Sequence, residues 1–170
     1  MTTDRTSSDE VTDLLGALHK HREFLRYAVR GLDEEHTRSR PTSSALCPGG
    51  LIKHVTSVER TWTRFLREGA PEPMPVADAV EVHEAGFRMQ PQDTLDELLA
   101  DYERAAADTE ALVRSLPDLD EVRPLPEAPW FESGGWSVRR VLLHLLAETA
   151  QHAGHADILR ETIDGQKTMG

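Results

Sequence analysis

The sequence predicts an all-α chain, a four-helix bundle with long crossover loops. Three observations carry that reading. Apolar residues recur at helical spacing in four separate stretches. Pro and Gly cluster between those stretches. No run alternates apolar and polar residues over a strand of convincing length.

The first helix is expected to start near Ser8, whose hydroxyl can cap free amides ahead of Asp9 and Glu10. Val11, Leu14, Leu15, Leu18, Leu25 and Val29 supply its apolar face, and it ends near Gly31. The joint over 33–50 is broken by Pro41, Pro48 and the Gly49-Gly50 pair. A second helix is expected after Gly50, with Leu51, Val55, Val58, Trp62 and Phe65 as its stripe and Gly69 as its end; His54 falls on its inward side. An irregular stretch follows, with a turn of helix around 76–82. The third helix has Thr94 as cap, Glu97 completing a capping box, and Pro117 as its stop. After a second long joint over 117–136, Ser137 caps a fourth helix that runs to about Ile163, with Gly165 just beyond. Both long joints lead into helices that carry candidate site residues, so they are expected to wall a pocket.

The totals restrict the function. At 170 residues the chain is expected to be one domain, 1–170, large enough to bury a core without disulfides or a structural metal. A formal net charge of −11 argues against a nucleic-acid groove, which needs clustered Lys and Arg. No apolar run approaches the ~20 residues of a membrane span, and the polar, acidic N-terminus does not read as a signal peptide. A lone Cys47 leaves no internal disulfide and fits a reducing cytoplasm. It is read as a small residue of the joint, because no ordered His/Asn partner marks it as a nucleophile. A homodimer is compatible with the pattern, although no apolar outer face stands out.

One stripe of the fourth helix carries chemistry. His144, Glu148, His152 and His155 follow one another at offsets of four, four and three, which places them on one face. Glu148 and His152 have the one-turn spacing that lets a helix offer two donors to one cation. A third donor must come from elsewhere, and His54 is the best placed. A catalytic zinc takes three protein ligands of this kind and keeps one position for water or substrate; nickel, iron or manganese suit the same set. A carboxylate among Val141, Leu142, Leu145, Leu146, Ile158 and Leu159 is costly unless paired or ligated. His155 is open to three roles: a further ligand, a partner that orients His152, or an acid/base. His144 is read as a core or rim histidine bonded to backbone, and Asp157 and Arg160 as surface residues.

At RPTSSALCPGGLIKHVTSVERTW (40–62) and WSVRRVLLHLLAETAQHAGHADILRETIDG (136–165) the chain resembles the DinB/YfiT superfamily of four-helix metal proteins. It is most similar to the actinobacterial branch that includes mycothiol-dependent maleylpyruvate isomerase and mycothiol S-transferases. The first motif resembles the family's S-x-x-x-x-GGL-x-KH, with its His on His54. The second resembles the family's helix-four pattern, with Glu148 and His152 at the ligand positions. The isomerases carry an additional C-terminal domain, whereas this sequence ends at Gly170, so the resemblance points to thiol S-transfer instead of isomerisation. It implies that His54, Glu148 and His152 hold a divalent metal, zinc foremost. It further implies that mycothiol is the thiol co-substrate, activated on the metal for conjugation to a small electrophile of xenobiotic type. His155 would then serve as acid/base or orient His152. Trp62, Trp130, Phe131 and Trp136 would wall the electrophile, although ordinary core packing is the simpler reading for Trp62. Arg38 and Arg40 would meet a carboxylate of the thiol cofactor. A metal-dependent isomerase or hydrolase, or a non-enzymatic stress-response or ligand-binding bundle, is the alternative.

Overall fold

The computed structural model describes residues 4–131 and 133–168, with side chains from Glu10 onward. Four long helices form the body: α1 (Asp4–Val29), α3 (Pro48–Glu68), α5 (Leu95–Ser115) and α6 (Val138–Asp164). Two shorter helices, α2 (Glu34–Arg38) and α4 (Val76–Gly86), lie in the first two joints. A short antiparallel ribbon, β1 (Val122–Pro124) with β2 (Gly135–Ser137), sits in the last joint and pairs Arg123 with Trp136. The all-α class and the four long helices therefore match the pattern of the sequence.

Four local expectations change. α1 is helical from Asp4, ahead of Ser8, whose side chain lies outside the described ones. α3 begins at Pro48, in the first turn where a missing N–H goes unused, so Gly49 and Gly50 lie inside the helix. The turn expected around 76–82 is an eleven-residue helix. The last joint holds two three-residue strands where no strand was expected. The caps of α5 and α6 hold: Thr94 accepts from the Glu97 amide and Ser137 from the Arg140 amide.

Ion pairs fix the helix directions. Arg139 of α6 meets Glu10 near the start of α1, and Arg160 meets the Ala28 and Arg30 carbonyls near its end, so α1 and α6 run parallel. Lys53–Asp93, Arg60–Asp101 and Arg67–Asp108 advance together, so α5 runs parallel to α3. Parallel neighbours need a connection that returns along the whole bundle, about 31 Å for a helix of this length. The stretch 69–94, with α4 inside it, makes that return. Arg160 is buried, contrary to its expected place on the surface; it satisfies the free carbonyls at the C-terminus of α1.

The core has two apolar clusters. One gathers Leu15, Leu18, Trp62, Phe65, Leu66, Val141, Leu142 and Leu145. The other gathers Leu25, Leu51, Ile52, Val55, Tyr102 and Leu159. The buried polar side chains include an Arg22–Glu59 ion pair and a Thr63–Thr109 hydroxyl pair 2.7 Å apart.

Candidate metal centre

The start of α3 is shaped for close approach. A Cβ on Gly50 would fall under 3.0 Å from the Phe87 carbonyl oxygen and 2.9 Å from the Cys47 sulfur. A Cβ on Gly49 would meet the Met89 side chain and lie 2.8 Å from Thr37 Cγ2. Only residues without a Cβ let the segment after α4 lie on this turn. One turn beyond Gly50, the His54 ring stacks on Phe87, centroids 3.7 Å apart and planes 14° apart. His83, one turn before Phe87 on α4, meets His54 edge-on at 5.3 Å. Neither Phe87 nor His83 was expected at the site. Their signal in the sequence is the helical spacing of Val76, Val80, His83 and Phe87.

α6 runs antiparallel to α3 and brings Glu148 and His152 to the other side of His54. Glu148 Oε2 lies 3.9 Å from His54 Nε2 and 3.6 Å from His152 Nε2. One donor atom from each of the three lies within 4.8 Å of the other two. These separations are too long for hydrogen bonds, which need about 2.7–3.2 Å. They approach the edge of a ligand tetrahedron, about 3.3–3.6 Å for metal–ligand bonds of about 2.0–2.2 Å. The donor set therefore fits a divalent cation better than it fits mutual hydrogen bonding.

The electrostatics agree. The imidazoles of His152 and His54 beside it hold the Glu148 carboxyl well below the usual carboxylate range. Burial pushes the His54 imidazole down, an effect the Glu148 carboxylate partly offsets. An ionised carboxylate and a neutral imidazole are the forms that ligate a metal. His155 Nδ1 lies 3.3 Å from His152 Nδ1. That contact takes the nitrogen of His152 remote from Glu148 and leaves Nε2 directed toward the carboxylate.

Toward the N-terminus of α6 an aromatic group adjoins the triad. Trp62 and Trp136 stack at 4.5 Å with 9° between planes, and the Arg140 guanidinium lies 4.2 Å from the Trp136 ring. Both faces of Trp136 are thus occupied, which leaves its edge for the apolar wall expected from the sequence. Phe131 meets both indoles edge-on. Trp130 is 53% exposed and touches Phe131 alone among the aromatic rings described. His144 lies beside this stacked pair, 5.0 Å from Trp62 and 5.2 Å from Trp136, and burial pushes its imidazole down. No hydrogen bond joins it to backbone among the described residues, contrary to expectation.

Two other residues from the first joint stand apart. Arg38 bonds Glu34 and the carbonyls of Gln90, Pro91 and Asp93, so most of its donors latch the turn before α5. Arg40 is exposed and joins no described partner. Cys47 is a buried N-cap without a side-chain cap bond.

The sequence comparison now decides the family. The family model of mycothiol-S-transferases matches residues 13–165, a span that includes all three donors. The chain belongs to the mycothiol-S-transferase family. The crystal structure of a conserved protein from Enterococcus faecalis superposes with a TM-score of 0.62, covering 91% of this chain and 98% of that one. At 15% identity that likeness concerns the fold of this mycothiol-S-transferase family member, and no curated protein matches it.

Proposed function

We propose that this chain is a metal-dependent S-transferase that joins the thiol of mycothiol to a small electrophile, in the cytoplasm and as a single domain. One observation carries the reading. Three donors from two distant helices converge at separations that suit a shared cation and exceed a hydrogen bond. Membership of the mycothiol-S-transferase family supports the choice of thiol. No described helix is long and apolar enough to cross a membrane.

His54 and His152 would hold the cation through Nε2 and Glu148 through a carboxylate oxygen, three protein ligands of the kind that a catalytic zinc takes alongside substrate. Zinc suits this nitrogen and oxygen set. The chemistry such a cation would supply is stabilisation of a thiolate nucleophile near neutral pH. The chain's own residues do the positioning. His152 Nδ1 lies 3.3 Å from His155 Nδ1; a ligand bound at Nε2 requires the proton on Nδ1, where His155 can accept it. In that arrangement His155 orients His152 through its Nδ1. Phe87 holds the His54 ring in place by stacking.

The test joins metal analysis of the purified protein with conjugation of mycothiol to monochlorobimane, run beside bacillithiol and glutathione. The expected result is stoichiometric metal and metal-dependent conjugation, fastest with mycothiol. His54→Ala and His152→Ala are each expected to lose the metal while the helical circular dichroism persists. Stoichiometric metal in either variant removes that residue from the ligand set. A loaded protein that conjugates no thiol overturns the transferase reading and leaves an isomerase or hydrolase on the same triad.

A further inference from the structure

His144 has no role in the triad, yet its surroundings are unusual for a core histidine. It stands one turn before Glu148 on α6, about 6 Å along the helix axis. Its ring is half-buried against the side of the stacked indoles, at 71° to Trp62 and 63° to Trp136. None of the described residues hydrogen-bonds it. The indoles beside it are held firmly, Trp136 between Trp62 and Arg140. On the opposite flank, Phe87 and His83 cover His54. A second reactant that meets a sulfur held at the triad is therefore received on the His144 side.

We propose that His144 and the edges of Trp62 and Trp136 form the subsite for the second substrate, an electrophile with a flat apolar body whose leaving atom accepts a hydrogen bond from the imidazole. This rests on the S-transferase reading above. In the step, the thiolate sulfur forms a bond to carbon as the bond from carbon to the leaving atom breaks. The leaving atom departs with the bonding pair and accepts the hydrogen bond from His144, whose proton stays on the ring. The thiol proton has already passed to solvent, so charge and atoms balance. Burial keeps the imidazole neutral, which favours a donor that does not add charge beside a cation. Trp130, exposed at the outer edge, contacts the far end of a longer substrate.

The test uses mycothiol and a series of arylmethyl electrophiles that share one ring and differ in leaving-group basicity, with the metal-loaded protein. His144→Phe keeps the aromatic volume and removes the donor. It is expected to lower kcat about 10²-fold for the poorest leaving group, the size of effect seen on loss of one transition-state donor. The best leaving group is expected to react nearly as in the wild type. His144→Gln keeps a donor and is expected to restore most of the loss, and it carries the test if the Phe variant does not fold. KM for mycothiol and the absorption spectrum of the Co²⁺-substituted protein should stay unchanged in both. A uniform loss across the series, or none, overturns the assignment while the transferase reading stands. A wild type that conjugates no thiol overturns both.

Discussion

Gly50 gives the sharpest test of how the fold builds its site. The substitution is Gly50→Ala, inside α3 and one turn before His54. An added methyl would fall under 3.0 Å from the Phe87 carbonyl and 2.9 Å from the Cys47 sulfur. The first of these is backbone, which cannot swing away as a side-chain end does. Overpacking of this kind costs about 1–3 kcal/mol, while the helical preference of alanine returns about 0.5–1 kcal/mol. The net expectation is a loss of about 1–2 kcal/mol, which for a chain of this size lowers Tm by about 2–4 °C per kcal/mol. Gly16 is the internal control. It lies within α1, and nothing stands within 4 Å of its added Cβ. Gly16→Ala should therefore raise stability by about 0.5–1 kcal/mol.

The same displacement lifts Phe87 from the His54 ring, so Co²⁺ affinity should fall about 10-fold, as when a residue supporting a ligand is lost. Urea denaturation of the apoprotein measures the first effect and Co²⁺ titration the second. If Gly50→Ala gains stability as Gly16→Ala does, and Co²⁺ binds as before, then the contact between Phe87 and the start of α3 does not position the site.

Two further outcomes concern the core. Arg22 and Glu59 form an ion pair with side chains 6% and 1% exposed, so Glu59→Ala alone should cost about 3–5 kcal/mol by leaving a buried guanidinium unpaired. The double replacement Arg22→Met with Glu59→Leu should cost less than either single change in urea melts; a double loss equal to the sum of two independent losses would contradict this. Burial pushes the Tyr102 phenol well above its ordinary value; Thr149 is its polar neighbour, and no well-formed hydrogen bond reaches its hydroxyl among the described residues. A group whose folded pKa is raised stabilises the fold below its unfolded pKa, about 10 for tyrosine, and that contribution is lost as pH rises above it. Tyr102→Phe should therefore be near neutral at pH 7 and should flatten the fall in stability above about pH 10; an unchanged alkaline slope would refute the claim.

How much of this was legible in the sequence follows from where each signal resides. The long helices announce themselves because their faces bury apolar residues at helical spacing, and Thr94 and Ser137 mark two starts by local chemistry that needs no tertiary context. The pairing of Glu148 with His152 is likewise internal to one helix, where four residues make one turn. The distance from either to His54 is tertiary, and no spacing encodes it; the inward place of His54 on its own helix nominated it, and the family resemblance strengthened that link. α4 was read only as a turn around 76–82 because none of its residues is buried and Pro75 gives it no side-chain cap, so its helical spacing had no buried stripe or capping box to extend it. Buried charge was missed for a related reason. Arg22 and Arg160 look like surface residues until a carboxylate or the open carbonyls at a helix end are placed beside them.

The parallel course of α3 and α5 ties these omissions to the site. It forces the chain to travel back along the bundle between Glu68 and Leu95, and the returning segment carries Phe87 and His83 onto His54. Gly49 and Gly50 read in sequence as a break before a helix. In the fold they are the space that the returning segment fills. The connection that looked least structured is therefore the one that orients the first imidazole of the triad, and shortening it within 70–82 should loosen His54 before it disturbs Glu148 or His152.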